Sequence, residues 1–207
     1  EISACLVGSE MCIRDRKYPA AKDVEWETRN DYLIVDFKQD KVEKEAWFDN
    51  SGTWYMTETD IPFAQLPDAV KTAFQQGEYS TWKVDDVDMI ERRDVETVYV
   101  IETEQGNSEV DLYYSPDGIL VKTVLDAGGN DGYEDFIPSQ PSSSVDAYIK
   151  EHYPSARILD IDREKGVTEV EILDGTVCRE LLFDDGGAWM QTKTELRITA
   201  LPDAVMA

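Results

Sequence analysis

The 207-residue chain has a single histidine, His152, so a metal site built on two or three imidazoles is excluded. A Ser–His–acid triad would have to use that one residue as its base, and no G-x-S-x-G elbow supplies a nucleophile. No glycine-rich phosphate loop is present. No apolar run reaches the roughly 18 residues that a membrane-crossing helix needs. Two of the three cysteines, Cys5 and Cys12, lie in the first 16 residues, which leaves Cys178 alone in a strand as an inert thiol. Cations are scarce as well: 20 Lys and Arg stand against 44 Asp and Glu, a net charge of −24. That balance argues against nucleic acid, whose binding depends on cations meeting phosphates, and against anionic membrane surfaces. A basic protein, a cationic peptide or Ca²⁺ is what it would attract.

What the chain does have is an internal repeat. Residues 48–70 read FDNSGTWYMTETDIPFAQLPDAV, and residues 183–205 read FDDGGAWMQTKTELRITALPDAV, at a constant offset of 135. The same offset carries Tyr18-Pro19 onto Tyr153-Pro154. Asp49 with Gly52, and Asp184 with Gly187, fit a tight hairpin in which Asp accepts backbone hydrogen bonds and Gly takes positive φ. Trp54 and Trp189 follow two residues later and are expected to be buried between sheet and helix. Pro67, in Leu66-Pro67-Asp68, reads as the first position of a helix, with an acid in its first turn. A weaker copy lies between: Asp117-Gly118 resembles the hairpin, and Pro141 onward resembles the helix start.

The expected fold class is α+β, built of tandem units of one helix packed on a four-stranded antiparallel sheet. Residues 1–16 show neither strand alternation nor a capped helix, and resemble a translated adapter read rather than native protein. Residues 17–66 form a first four-stranded sheet without its helix. Residues 67–126 form a helix plus four strands, and 127–141 a Gly-, Asp- and Pro-rich linker. Residues 142–200 form a second helix plus four strands, and 201–207 begin a further helix that is cut short.

The Tyr-Pro start, the Phe-Asp-x-x-Gly-x-Trp hairpin and the Leu-Pro-x-Ala-Val helix start resemble the PepSY-like proteins. These are also described as beta-lactamase-inhibitor-protein-like and are common in the cell envelope of Bacteroides-type bacteria. The resemblance covers residues 17–207. It implies tandem helix-plus-four-strand units, export to the periplasm or beyond, and no catalysis. No binding residue of the family carries over to a numbered position.

One helix covers one face of a sheet, so the other face is expected to be open. By alternation Trp47, Tyr55 and Tyr113 fall on that face among acids, and they are the candidate binding residues for a protein or peptide partner. A structural role in cross-strand pairs is the competing reading. The run from Asp126 to Ile137 fails as an EF-hand, having Asp131 at position six and Ile137 at position twelve. His152 reads as a packing residue at a helix end. The sequence therefore points to a non-enzymatic, cofactor-free binding protein, exported as the resemblance implies, with an acidic Ca²⁺-binding envelope protein as the alternative.

Overall fold

The computed structural model describes residues 17–29, 32–126, 139 and 141–194. Strands β1 (Lys22–Arg29), β2 (Tyr32–Gln39), β3 (Val42–Asp49) and β4 (Trp54–Asp60) precede helix α1 (Asp68–Gln76). Strands β5 (Lys83–Arg92), β6 (Val98–Gln105), β7 (Ser108–Tyr114) and β8 (Leu120–Asp126) follow it. Helix α2 (Ser143–His152) then leads into β9 (Arg157–Glu164), β10 (Val167–Asp174), β11 (Val177–Phe183) and β12 (Trp189–Thr194). The chain divides into two compact units, one holding β1 to β8 with α1, the other holding α2 and β9 to β12 with residues 94–96.

The fold is α+β and mostly sheet, with two antiparallel sheets and two helices among the described residues. The first sheet has eight strands in the order β1-β2-β3-β4-β5-β6-β7-β8; the second has four, in the order β12-β11-β10-β9. Here the structure departs from the expected pair of separate four-stranded sheets before the linker. Strand β4 pairs with β5, from Met56 opposite Arg92 to Asp60 opposite Asp88, and fuses the two sets into one sheet. Pairing satisfies backbone groups that two free edges would have left exposed.

Helix spacing places Val70 and Phe74 on one face of α1, where they pack on Val87, Ile101, Val110, Leu112 and Tyr114. In the second unit Val145 and Ile149 of α2 pack on Ile161, Val170, Ile172, Leu181 and Phe183. Ser142 caps α2, its Oγ accepting from the Val145 N–H at 3.4 Å. Pro67 is the N-cap of α1, not its first residue, one position before the expected place.

The hairpin at β3–β4 recurs at β11–β12 bond for bond. Asp49 Oδ1 accepts from the Ser51 and Thr53 N–H groups at 2.9 and 2.8 Å. Asp184 Oδ1 accepts from the Gly186 and Ala188 N–H groups, both at 2.9 Å. Gly52 and Gly187 hold φ of 84° and 78°, a region other residues avoid. In the β7–β8 copy Ser115 replaces the acid, with Gly118 at φ 80°. A Cβ on Gly118 would sit 2.5 Å from the Ala69 carbonyl oxygen, at the start of α1. One on Gly187 would collide with Ser142 and Ser144 at the start of α2.

Candidate binding face

The alternation that places Trp47 and Tyr113 on one face of the first sheet holds, but that face is not open there. Trp47 is 1% exposed and Tyr113 4%, packed with Ile34, Met56, Ile90, Val98 and Val100 in one cluster of strand side chains. The reason is lateral register. Ile34, Trp47 and Met56 stand directly opposite one another across β2, β3 and β4, so aromatics that look isolated along each strand become contiguous across strands. Tyr55 is half-buried at a register shift, with its ring edge-on to Tyr32 at 5.7 Å.

Trp54 and Trp189 are not buried between sheet and helix either. Trp54 is half-buried, with Lys17 Nζ 3.4 Å above its ring. Trp189 is 46% exposed and lies parallel to Tyr148, which itself stacks on His152 at 4.0 Å. In both copies the indole N–H donates to the threonine three residues on, Thr57 or Thr192. His152 is exposed, and its Nδ1 donates to the Tyr148 carbonyl at 3.0 Å. Cys178 is half-buried in β11. The candidate calcium loop lies outside the described residues beyond Asp126.

One step along the strands from the apolar row, on the same face, lies a feature that local reading did not find. Glu25 stands opposite Asp36, Asp36 opposite Glu45, and Glu45 opposite Glu58. Four carboxylates therefore form one lateral row across β1 to β4, at the roughly 4.8 Å strand spacing. Like charges in this relation destabilise a sheet. The row lines an open cleft of about 440 Å³, joined by Asp23, Glu43, Asp60, Asp86 and Asp88. Two lysines reach the cleft. Lys38 is committed to Glu43, and Lys44 donates to Thr59 Oγ1 at 2.7 Å.

The electrostatics follow from that crowding. Burial, then the charges of Asp88 and Glu45, push the Glu58 carboxyl up to about 9, so at neutral pH it keeps its proton. Burial raises Glu45 too, although the Trp47 indole N–H donates to its Oε1 at 2.5 Å and partly offsets this. Asp36 is raised by burial and by Glu27 and Glu25, with Arg29 opposing. Among the described residues neither Glu25 nor Glu58 has a cation paired with it. The structure thus brings Trp47 and Tyr113 together in a dry cluster, and beside it a row of acids that the sequence reading did not single out. The available signal was the repeat itself, since Glu45 recurs as Glu180 at the 135-residue offset.

The second sheet has the corresponding row, Asp160–Glu171–Glu180–Lys193, each opposite the next. Its fourth member is a lysine, and Lys193 Nζ pairs with Glu180. Repetition of hairpin, helix start and acid row defines a class: modular α+β proteins of antiparallel sheet with helices laid on one face. The chain belongs to the PepSY-like, beta-lactamase-inhibitor-like family, whose profile matches residues 31–122, 134–177 and 166–207. A BLIP-like protein from Bacteroides fragilis is 37% identical with a TM-score of 0.58, over 61% of this chain and 90% of that one. A DUF2874 family protein from Bacteroides ovatus is 31% identical with a TM-score of 0.56, over 61% of this chain and 96% of that one. A third, from Bacteroides eggerthii, carries a provisional periplasmic assignment; at 21% identity and TM-score 0.56, over 61% and 91% of the two chains, it attests the fold alone. A search of curated proteins finds no match.

Proposed function

We propose that this is an exported, non-enzymatic binding protein whose acidic cleft on the first sheet receives a basic segment of a protein or peptide partner. The observation that carries the reading is the row Glu25–Asp36–Glu45–Glu58, which is unfavourable in the isolated chain and is relieved by an incoming cation. Places where a sequence breaks a local rule without internal compensation are characteristically functional ones. Relatives described as inhibitor-like fit a protein partner, and the Bacteroides envelope setting of the family fits export. Ca²⁺ is the weaker occupant: the row spreads its carboxylates along a pleated surface, and no three acidic, His or Cys side chains converge on a metal position among the described residues.

The test is binding of a labelled lysine-rich peptide, followed by fluorescence anisotropy. Affinity should fall steeply with salt, and Glu58→Lys should weaken it at least tenfold. A Glu58→Lys protein that binds as the native chain does would overturn the reading. So would a thermal shift produced by Ca²⁺ and not by the peptide.

A further inference from the structure

Strand β1 is the outermost strand of the first sheet, and among the described residues nothing pairs with its outer side. Its alternate backbone N–H and C=O groups therefore point away from β2, a template for another strand. Charged side chains and a bulge with Asp23 at φ 51° guard the start of this edge, and they leave its second half regular. The register shift lies between Lys22 and Glu25, and from Glu25 to Arg29 the pairing with β2 is regular. The two faces differ sharply. On one, Glu25 begins the acid row and Glu27 follows it, both exposed. On the other, Val24 and Trp26 are half-buried against the cluster of Leu33, Val35, Phe37 and Phe48, with Trp26 6.4 Å from the Phe48 ring.

Resting on the acidic-cleft reading above, we propose that the partner binds as an added β-strand along the free edge of β1, as an extended segment in which basic residues alternate with apolar ones. A residue of an added strand shares a face with the residue it opposes. Positions opposite Glu25 and Glu27 therefore project onto the acid face. Arg29 already pairs with Glu27, so Glu25, with no cation of its own among the described residues, is the main anchor. A lysine or arginine placed there extends the row Glu25–Asp36–Glu45–Glu58 by one strand with the opposite sign. The intervening residues fall beside Val24 and Trp26 and continue their half-covered apolar surface. Main-chain bonds supply affinity, and the two faces supply specificity. An antiparallel second copy centred on Trp26 would place Glu25 against Glu27, acid against acid, which argues for a foreign strand.

The experiment uses the full chain and the peptide Thr-Lys-Val-Lys-Val-Lys-Thr, blocked at both ends, with two isomers N-methylated on alternate residues. Only one alternate set of peptide amides faces β1. One isomer should lose at least tenfold in affinity, and the other should stay within about twofold of the parent. Glu25→Gln with Glu27→Gln, both at exposed positions, should weaken the parent about fivefold with the circular dichroism spectrum unchanged. Two isomers that bind equally well overturn strand addition and leave the charge-driven cleft standing. Failure of every basic peptide, including a block-ordered one of the same composition, overturns both readings. Dimerisation that the peptide does not dissolve also overturns strand addition, because it assigns the β1 edge to a second copy.

Discussion

The second sheet and the first four strands of the first share a template, and one lateral position changes the character of the acid row. In the second sheet the acid row ends in Lys193, which pairs with Glu180, and the acids opposite one another are compensated from within. In the first, Glu58 occupies that position and adds a fourth carboxyl group, which burial and its acidic neighbours keep protonated at neutral pH. The next row differs too. Ile34, Trp47 and Met56 in the first sheet correspond to Glu169, Leu182 and Gln191 in the second. A fully dry apolar row thus borders a row of acids alone in one copy, and in the other a mixed row borders a closed ion pair. Burial next to the apolar row is what holds Glu58 protonated. Burial also raises Glu169, but the Lys193 ammonium opposes that rise.

The largest effect should come from breaking the apolar row. Trp47→Ala removes a wholly buried indole and should cost ~3–5 kcal/mol in denaturant unfolding. Leu182→Ala, at the half-buried corresponding position, should cost ~1–2 kcal/mol. Equal losses would dissolve the contrast between the two rows.

The next effect is pH dependence. Glu58 titrates at about 9 when folded, against an ordinary value of 4.5. Between those values the folded state binds more protons than the unfolded one, so stability should fall as pH rises from 5 to 9. The expected loss is ~1–3 kcal/mol, and Glu58→Gln should flatten the slope. Calorimetric melting across this range is the check; a curve of unchanged slope in the variant would show that other groups set it.

A smaller effect should follow from making the copies alike. Glu58→Lys supplies the first sheet with the lysine of the second and should raise stability at pH 8 by ~1 kcal/mol. Lys193→Glu should cost less than 1 kcal/mol, because its ammonium is largely exposed. Smaller still, Trp189→Ala should change unfolding free energy by under ~1 kcal/mol, since nearly half of the side chain already meets solvent.

Much of this comparison was legible in the sequence because it is written in local signals. The Asp-x-x-Gly hairpins and the apolar spacing of α1 and α2 each depend on residues within a few positions. The constant offset of 135 revealed the copies before any contact was known. Non-local register was not legible. Alternation assigns Trp47 to a face but cannot say that Ile34 and Met56 flank it, and that flanking decides whether it is open or dry. The fusion of β4 to β5 was hidden for the same reason: both strands look complete within their own four-stranded sets. The acid row is a product of register as well, its four members being scattered from Glu25 to Glu58 with nothing along the chain to connect them. The repeat held an overlooked clue, in that Glu58 and Lys193 occupy one position with opposite charge.

The most direct test of the central claim is calorimetric titration of the native chain with a lysine-rich peptide at pH 7, repeated in buffers of different ionisation enthalpy. A cation entering the row should pull the Glu58 carboxyl down through neutrality and release up to about one proton per peptide bound. That release should disappear in Glu58→Gln. Tight binding without proton release in the native chain would place the peptide away from the row and contradict the account.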